Sequence, residues 1–184
     1  MTIVRSLAGW IAFAVAGAFL DQQIAAVTAV VVAIAVLLLA RHGGRRTSEL
    51  VIEIATVIFF ACYTVLAFAV PHAGLRAWVG PASQFWLAAT VAITLAIRRP
   101  FTLAIARREA PPAVWDAPPF VAFNVRITRA WMISFLLSGL VLAGFALLGW
   151  TRAWFTAPVM VAAIIVTIVF TKGQTARLRE GFRS

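Results

Sequence analysis

Six stretches of nearly unbroken apolar side chains, at residues 3–20, 24–40, 50–70, 79–97, 127–149 and 155–171, divide this chain, and short clusters of arginine separate them. A bilayer hydrocarbon core about 30 Å thick is crossed by about 20 helical residues. Each stretch meets or approaches that length. In lipid every backbone polar group must be satisfied within the segment, so apolar runs of this kind are restricted to helices. Only 12% of the residues are charged, about half the share expected of a soluble domain. The chain therefore reads as an all-α, polytopic membrane protein, a single transmembrane domain over residues 1–184 with about six transmembrane helices in three hairpins.

The breaks between runs carry stop signals. Asp21, Gln22 and Gln23 form a polar turn between the first two spans. Arg41, His42, Gly43, Gly44, Arg45 and Arg46 end the second, because paired glycines and charges terminate a helix. Pro71 closes the third, and Arg98, Arg99 and Pro100 close the fourth. An N-terminal secretory signal is the competing expectation, with Arg5 as its basic region, Leu7 to Val15 as its apolar region and Ala16-Gly17-Ala18 as a cleavage site. The next apolar run follows almost at once, which favours a hairpin.

Orientation follows from the basic residues, which are retained on the cytoplasmic side of a membrane. With six spans, Arg5, Arg41, Arg45, Arg46, Arg98, Arg99, Arg107, Arg108, Arg126, Arg129, Lys172, Arg177, Arg179 and Arg183 fall on one side, 14 of the 16 Lys and Arg residues. Arg76 and Arg152 fall opposite. Both termini are thus expected in the cytoplasm. The net charge of +10 is distributed as a topology signal, not as a patch for nucleic acid, and no nucleic-acid partner is expected. Six tryptophans, Trp10, Trp78, Trp86, Trp131, Trp150 and Trp154, fall mostly near span ends, as an aromatic belt would.

Reactive groups are sparse. The two histidines, His42 and His72, lie at opposite span ends, and Cys62 is the only cysteine. A shared metal site is ruled out by that spacing. No GxSxG, P-loop, HExxH or dinucleotide-binding glycine pattern occurs. No enzyme activity, cofactor or metal is expected.

Two acidic residues stand apart. An ionisable residue inside a span is costly and raises a functional question by default. Glu53 lies one turn inside the third span and shares a helical face with Glu49 and Thr56. Arg45, Arg46 or Arg98 would supply a counter-charge. Glu49 and Glu53 are thus the candidate intramembrane polar site, and a pairing or snorkelling role at the interface is the plainer reading. Small and hydroxylated residues at helical spacing, among them Ala8, Ala12 and Ala16, Thr90 and Thr94, and Ser134, Ser138 and Gly139, read as helix-packing positions. The triplet Arg76-Ala77-Trp78, with Pro81 after it, is echoed by Arg152-Ala153-Trp154 and Pro158, a faint internal repeat.

The segment 98–124 is the most distinctive. It holds five prolines, and Phe101 to Arg108 reads as a short amphipathic helix lying along the membrane surface. Phe101, Leu103 and Ile105 would meet the acyl boundary, with Arg107 and Arg108 at headgroup level. The Pro-rich remainder reads as a loop folded back under the bundle, anchored by Trp115 and Phe120. Arg98, Arg99, Arg107, Arg108, Trp115, Arg126 and Arg129 form the candidate surface for anionic lipid headgroups or a partner protein.

The order of these elements distantly resembles the bacterial intracellular septation protein A family. The residues that carry the likeness are the N-terminal hairpin, the basic loop Arg41 to Arg46, and a second hairpin closed by Arg98-Arg99-Pro100. After them come the prolines Pro111 and Pro112 ahead of Trp115, Asn124 before the fifth span, and Trp131 with Phe135 entering it. The resemblance implies a multi-pass protein of the bacterial inner membrane, involved in envelope integrity or septation, with no catalytic residues to transfer. A small transporter or lipid-handling protein, or an accessory subunit of a membrane complex, is the alternative, and a membrane-protein partner or homo-oligomer is open.

Overall fold

The computed structural model describes residues 8–71, 74–108 and 110–181, and over these it is helical, with no strand. Seven α-helices follow in order: α1 (Ala8–Phe19), α2 (Gln22–His42), α3 (Val51–Ala69), α4 (Leu75–Ala96), α5 (Phe101–Ala106), α6 (Pro118–Leu147) and α7 (Ala153–Gly181). Short 3-10 turns occupy Thr47–Glu49 and Pro112–Val114. Five helices, α2, α3, α4, α6 and most of α7, are long and apolar enough to cross a membrane. The chain is a multi-pass membrane protein by this measure. The described part of α1 is 12 residues, and the start expected for its span lies outside the described residues, as do Arg5, His72, Glu109 and Arg183.

The chain divides into two compact units, Met1–Val79 and Gly80–Ser184. In the first, α1 packs on α2 and α2 on α3. Small side chains permit it. Ala25, Ala26, Ala29, Ala33 and Ala40 of α2 are buried, and without a hydrophobic drive in lipid such residues let backbones approach. Gly9 is the tightest point, where a Cβ would stand 3.3 Å from both Ala33 Cβ and Thr56 Cγ2. Trp10 and Phe13 of α1 then lie on Phe59, Phe60 and Tyr63 of α3 in a chain of tilted and edge-on ring contacts 4.6–5.5 Å apart. Trp10 is accordingly a packing residue and not part of an aromatic belt. Its indole N–H donates to Thr56 Oγ1 at 3.2 Å.

Asp21 stands at the N-cap position of α2 with extended backbone, but its carboxylate makes no capping bond. The turn is held by backbone alone, Leu20 N–H to Ala16 O and Ala25 N–H to Asp21 O.

In the second unit α5 packs on α6 and α6 on α7. The fifth span was expected from residue 127, yet α6 begins at Pro118. The expected loop of prolines contains a helix start, because proline in the first helical turn gives up only an N–H that has no partner there. Gly139 faces the ring of Phe85 so closely that a Cβ would stand 2.9 Å from its Cε1. Ser134 Oγ donates to Ala163 O of α7 at 3.3 Å, so the hydroxyl links two helices as interhelical glue.

Three helix ends share one closure. In α2, Gly44 N–H reaches Arg41 O and Arg45 N–H reaches Ala40 O; in α4, Arg98 N–H reaches Leu95 O and Arg99 N–H reaches Thr94 O; in α6, Gly149 N–H reaches Ala146 O and Trp150 N–H reaches Phe145 O. This paired pattern requires a left-handed residue just past the helix. Gly44 and Gly149 supply it at φ 75° and 76°, and Arg98 supplies it at φ 56°.

Candidate functional site

The first candidate grows out of the closure of α2. Gly44 in the left-handed region turns the backbone, and Arg45 follows it. Its side chain reaches the first turns of α3, where Arg45 Nη1 donates to Glu53 Oε1 at 2.8 Å and Arg45 Nε lies 4.0 Å from Glu49 Oε2. The side chains are 10% exposed for Arg45 and 3% for Glu53. Of the three arginines named as counter-charges, Arg45 holds the role here. Arg46, one residue on, is exposed. Thr56, on the same face as Glu53, accepts from the Trp10 indole and donates its own hydroxyl proton to Ile52 O at 2.8 Å. Sequence reasoning named Glu49, Glu53 and Thr56 together but not Trp10, whose position was masked by its reading as an interface residue.

This is a low-dielectric ion pair with a defined geometry. Taking a guanidinium and a carboxylate out of water is expensive, and only direct contact with well-placed hydrogen bonds offsets it. Chemically the cluster can hold charge and fix the α2–α3 connection.

The second candidate is the basic segment of the second unit. Arg98, Arg99, Arg108, Arg126 and Arg129 are all exposed. Pro100 and Leu103 are buried beneath them, so α5 is docked and not free on a membrane surface. Thr102 Oγ1 donates to Asn124 O at 2.9 Å and lies 2.7 Å from Thr128 Oγ1, tying α5 to the first turns of α6. Asn124 itself, 1% exposed, donates to Phe120 O one turn back. Thr102 and Thr128 were not singled out from the sequence. Hydroxyls 26 positions apart give no local signal of contact.

Arg107 differs from its neighbours. Its Nη2 donates to Asp116 Oδ1 at 2.8 Å and to Trp115 O at 3.4 Å, and the guanidinium lies 5.8 Å from the centre of the Trp115 rings. Trp115 Nε1–H in turn donates to Ala110 O at 2.9 Å. These contacts clasp residues 107–116 into a compact turn. Arg107 and Trp115, both expected to face headgroups, are therefore half-buried and spent on each other, whereas Arg108 next to them is exposed.

The length of α6 sets where the arginines stand. Thirty residues at 1.5 Å each give about 45 Å, against a hydrocarbon core of about 30 Å. The excess of about 15 Å corresponds to about ten residues. Counted from Pro118, those ten reach Ile127, so Arg126 and Arg129 lie where helix leaves lipid.

Arg76 and Arg152, the heads of the repeated triplets, make different contacts. Arg76 Nη2 donates to Gly17 O, while Arg152 lies over the ring of Trp154 at 4.9 Å. Among the described residues no group of three or more His, Cys, Asp or Glu could hold a metal ion. No protein-family model, no curated protein and no solved structure matches the chain.

Proposed function

We propose that the chain is a non-enzymatic multi-pass protein of the bacterial inner membrane, with six crossings and both termini in the cytoplasm, that grips anionic lipid headgroups through Arg98, Arg99, Arg108, Arg126 and Arg129. The observation that carries this reading is the exposure of those five arginines on a surface held in place by the Thr102–Asn124–Thr128 contacts, with Arg107 neutralised by Asp116 and kept out of it. A basic residue close to an anionic surface contributes about 1 kcal/mol. The likeness in element order to the septation protein A family supports placing this grip in envelope integrity or septation.

The test is lipid selectivity. Wild-type protein and a variant with Arg98, Arg99, Arg108 and Arg126 changed to glutamine are reconstituted in mixed phosphatidylglycerol and phosphatidylcholine carrying spin-labelled lipid. The wild type should enrich phosphatidylglycerol around itself and the variant should not. Equal enrichment by both removes the proposal.

The buried Arg45–Glu53 pair supports a second reading, an ion-coupled transporter or lipid-handling protein. That reading requires proton or cation movement in sealed vesicles that disappears in Glu53→Gln. Vesicles that hold a pH gradient equally well with and without the protein exclude it.

A further inference from the structure

The end of the first unit remote from Arg45 has its own polar groups. Here α1 ends, α2 begins, α3 ends and α4 starts. The last carbonyls of a helix lack partners within it, and Gly17 O of α1 is satisfied by Arg76 Nη2 from α4. Gln23 Nε2 of α2 serves Ala67 O of α3 in the same way at 3.4 Å. Both contacts satisfy helix ends.

Tyr63 does not fit that scheme. It is 6% exposed, its ring meets Phe13 edge-on at 5.5 Å and stacks on Phe59 at 6.2 Å, and its hydroxyl is buried with no hydrogen-bond partner. Leu75 and Val79, which flank Arg76 on α4, pack against the same aromatic cluster. Phe13 and Gly17 are one turn apart on α1, a rise of about 6 Å. Arg76 thus straps α4 to α1 about one turn beyond the Phe13–Tyr63 contact, and its charge is close enough to act on the phenol. Buried hydroxyls are almost always paired, and one that is not calls for a missing acceptor.

Arg76 points to the same acceptor. Its guanidinium carries five N–H donors, and the structure commits one nitrogen, to a carbonyl. Among the described residues no carboxylate lies within ion-pair distance of it. An unneutralised guanidinium and an orphan phenol O–H are both donors, converging from α4 and α3. Neither calls for a cation. A phosphate oxygen satisfies both, since guanidinium and phosphate pair through charge-assisted hydrogen bonds.

We infer that Arg76 and Tyr63 form a binding site for the phosphate of a membrane phospholipid at the end of the first unit opposite Arg45. The source is taken to be lipid because α1 and α3 present exposed Val15, Phe19, Val65, Leu66 and Phe68 around this end, apolar surface on which acyl chains can lie. The site is separate from the arginine surface of the second unit.

Native mass spectrometry of the full chain in neutral detergent tests it, with dioleoyl phosphatidylglycerol, dioleoylglycerol and inorganic phosphate as separate probes. The wild type should retain one phosphatidylglycerol, and Tyr63→Phe, which deletes only the hydroxyl, should reduce that occupancy at least fivefold while keeping its helix content and melting temperature. Arg76→Gln should do the same, and the four-arginine variant should keep this lipid. Dioleoylglycerol, with the same chains and no phosphate, should not be retained. Full retention by Tyr63→Phe overturns the inference and leaves the hydroxyl to a buried water. Retention of dioleoylglycerol equal to phosphatidylglycerol overturns it too, as does a phosphate-induced rise in melting temperature that displaces the lipid, which would make a free anion the ligand.

Discussion

Arg45 and Glu53 meet at 2.8 Å inside the first unit, the arginine delivered by a left-handed glycine and the glutamate by the first turn of α3. Removing one member leaves the other charge buried, which typically costs about 3–5 kcal/mol. Glu53→Ala and Arg45→Ala should each lower the melting temperature in detergent steeply. The double substitution should cost less than the two added together, as coupled neighbours do. High salt should barely change the wild-type value, because a buried pair is poorly screened.

Gly44 and Arg98 occupy equivalent positions and should respond in opposite senses. An added Cβ at Gly44 meets nothing within 4 Å, so Gly44→Ala tests backbone conformation alone and should destabilise by about 1–2 kcal/mol. Arg98→Gly relieves the same constraint and should stabilise by about 1 kcal/mol. Thermal unfolding followed by far-UV circular dichroism measures both. A melting temperature lowered by Arg98→Gly would show that the arginine side chain contributes more than its φ of 56° costs.

Gly139 and Gly144 share α6 but not their surroundings. Gly139→Ala drives a methyl into the Phe85 ring and should destabilise by about 1–3 kcal/mol, with partial rescue by Phe85→Leu. Nothing lies within 4 Å of a Cβ at Gly144, so Gly144→Ala should be neutral or stabilising by up to about 1 kcal/mol. Equal effects at the two positions would contradict this packing.

Arg107 and Arg99 separate the clasp from the lipid surface. Arg107→Gln should open residues 107–116 to limited proteolysis and shift Trp115 fluorescence, with little change in lipid selectivity. Arg99→Gln should lower phosphatidylglycerol preference about fivefold, the equivalent of about 1 kcal/mol, and leave proteolysis unchanged. The reverse pattern would return Arg107 to the contact surface.

How much of this was readable in advance depends on the range of the forces involved. The long helices announce themselves because lipid demands apolar length, and α2 and α3 differ from their expected spans by a residue or two at each end. The face shared by Glu49, Glu53 and Thr56 follows from helical spacing alone. Which arginine answers it does not, since that is decided by the φ of Gly44 and not by proximity in sequence. The start of α6 was hidden by the reading of Pro118 and Pro119 as breakers, although both stand where a helix tolerates proline. Trp10, read as an interface residue, lies inward because Gly9 lets α1 close on Ala33 and Thr56. Arg107 and Arg108 look alike in sequence, and only the fold gives one of them Asp116.

The overhang of α6 has a mechanical meaning. Arg126 and Arg129 belong to the same continuous rod as the membrane-embedded turns, so no hinge lets them adjust independently. Their height above the acyl chains is fixed by how much of the rod the bilayer covers. A bilayer thinner by about 3 Å uncovers about two more residues of an upright helix, and tilting is the remaining means of compensation. The arginine surface therefore rides on α6 like a float gauge, reading local membrane thickness as a displacement of charge.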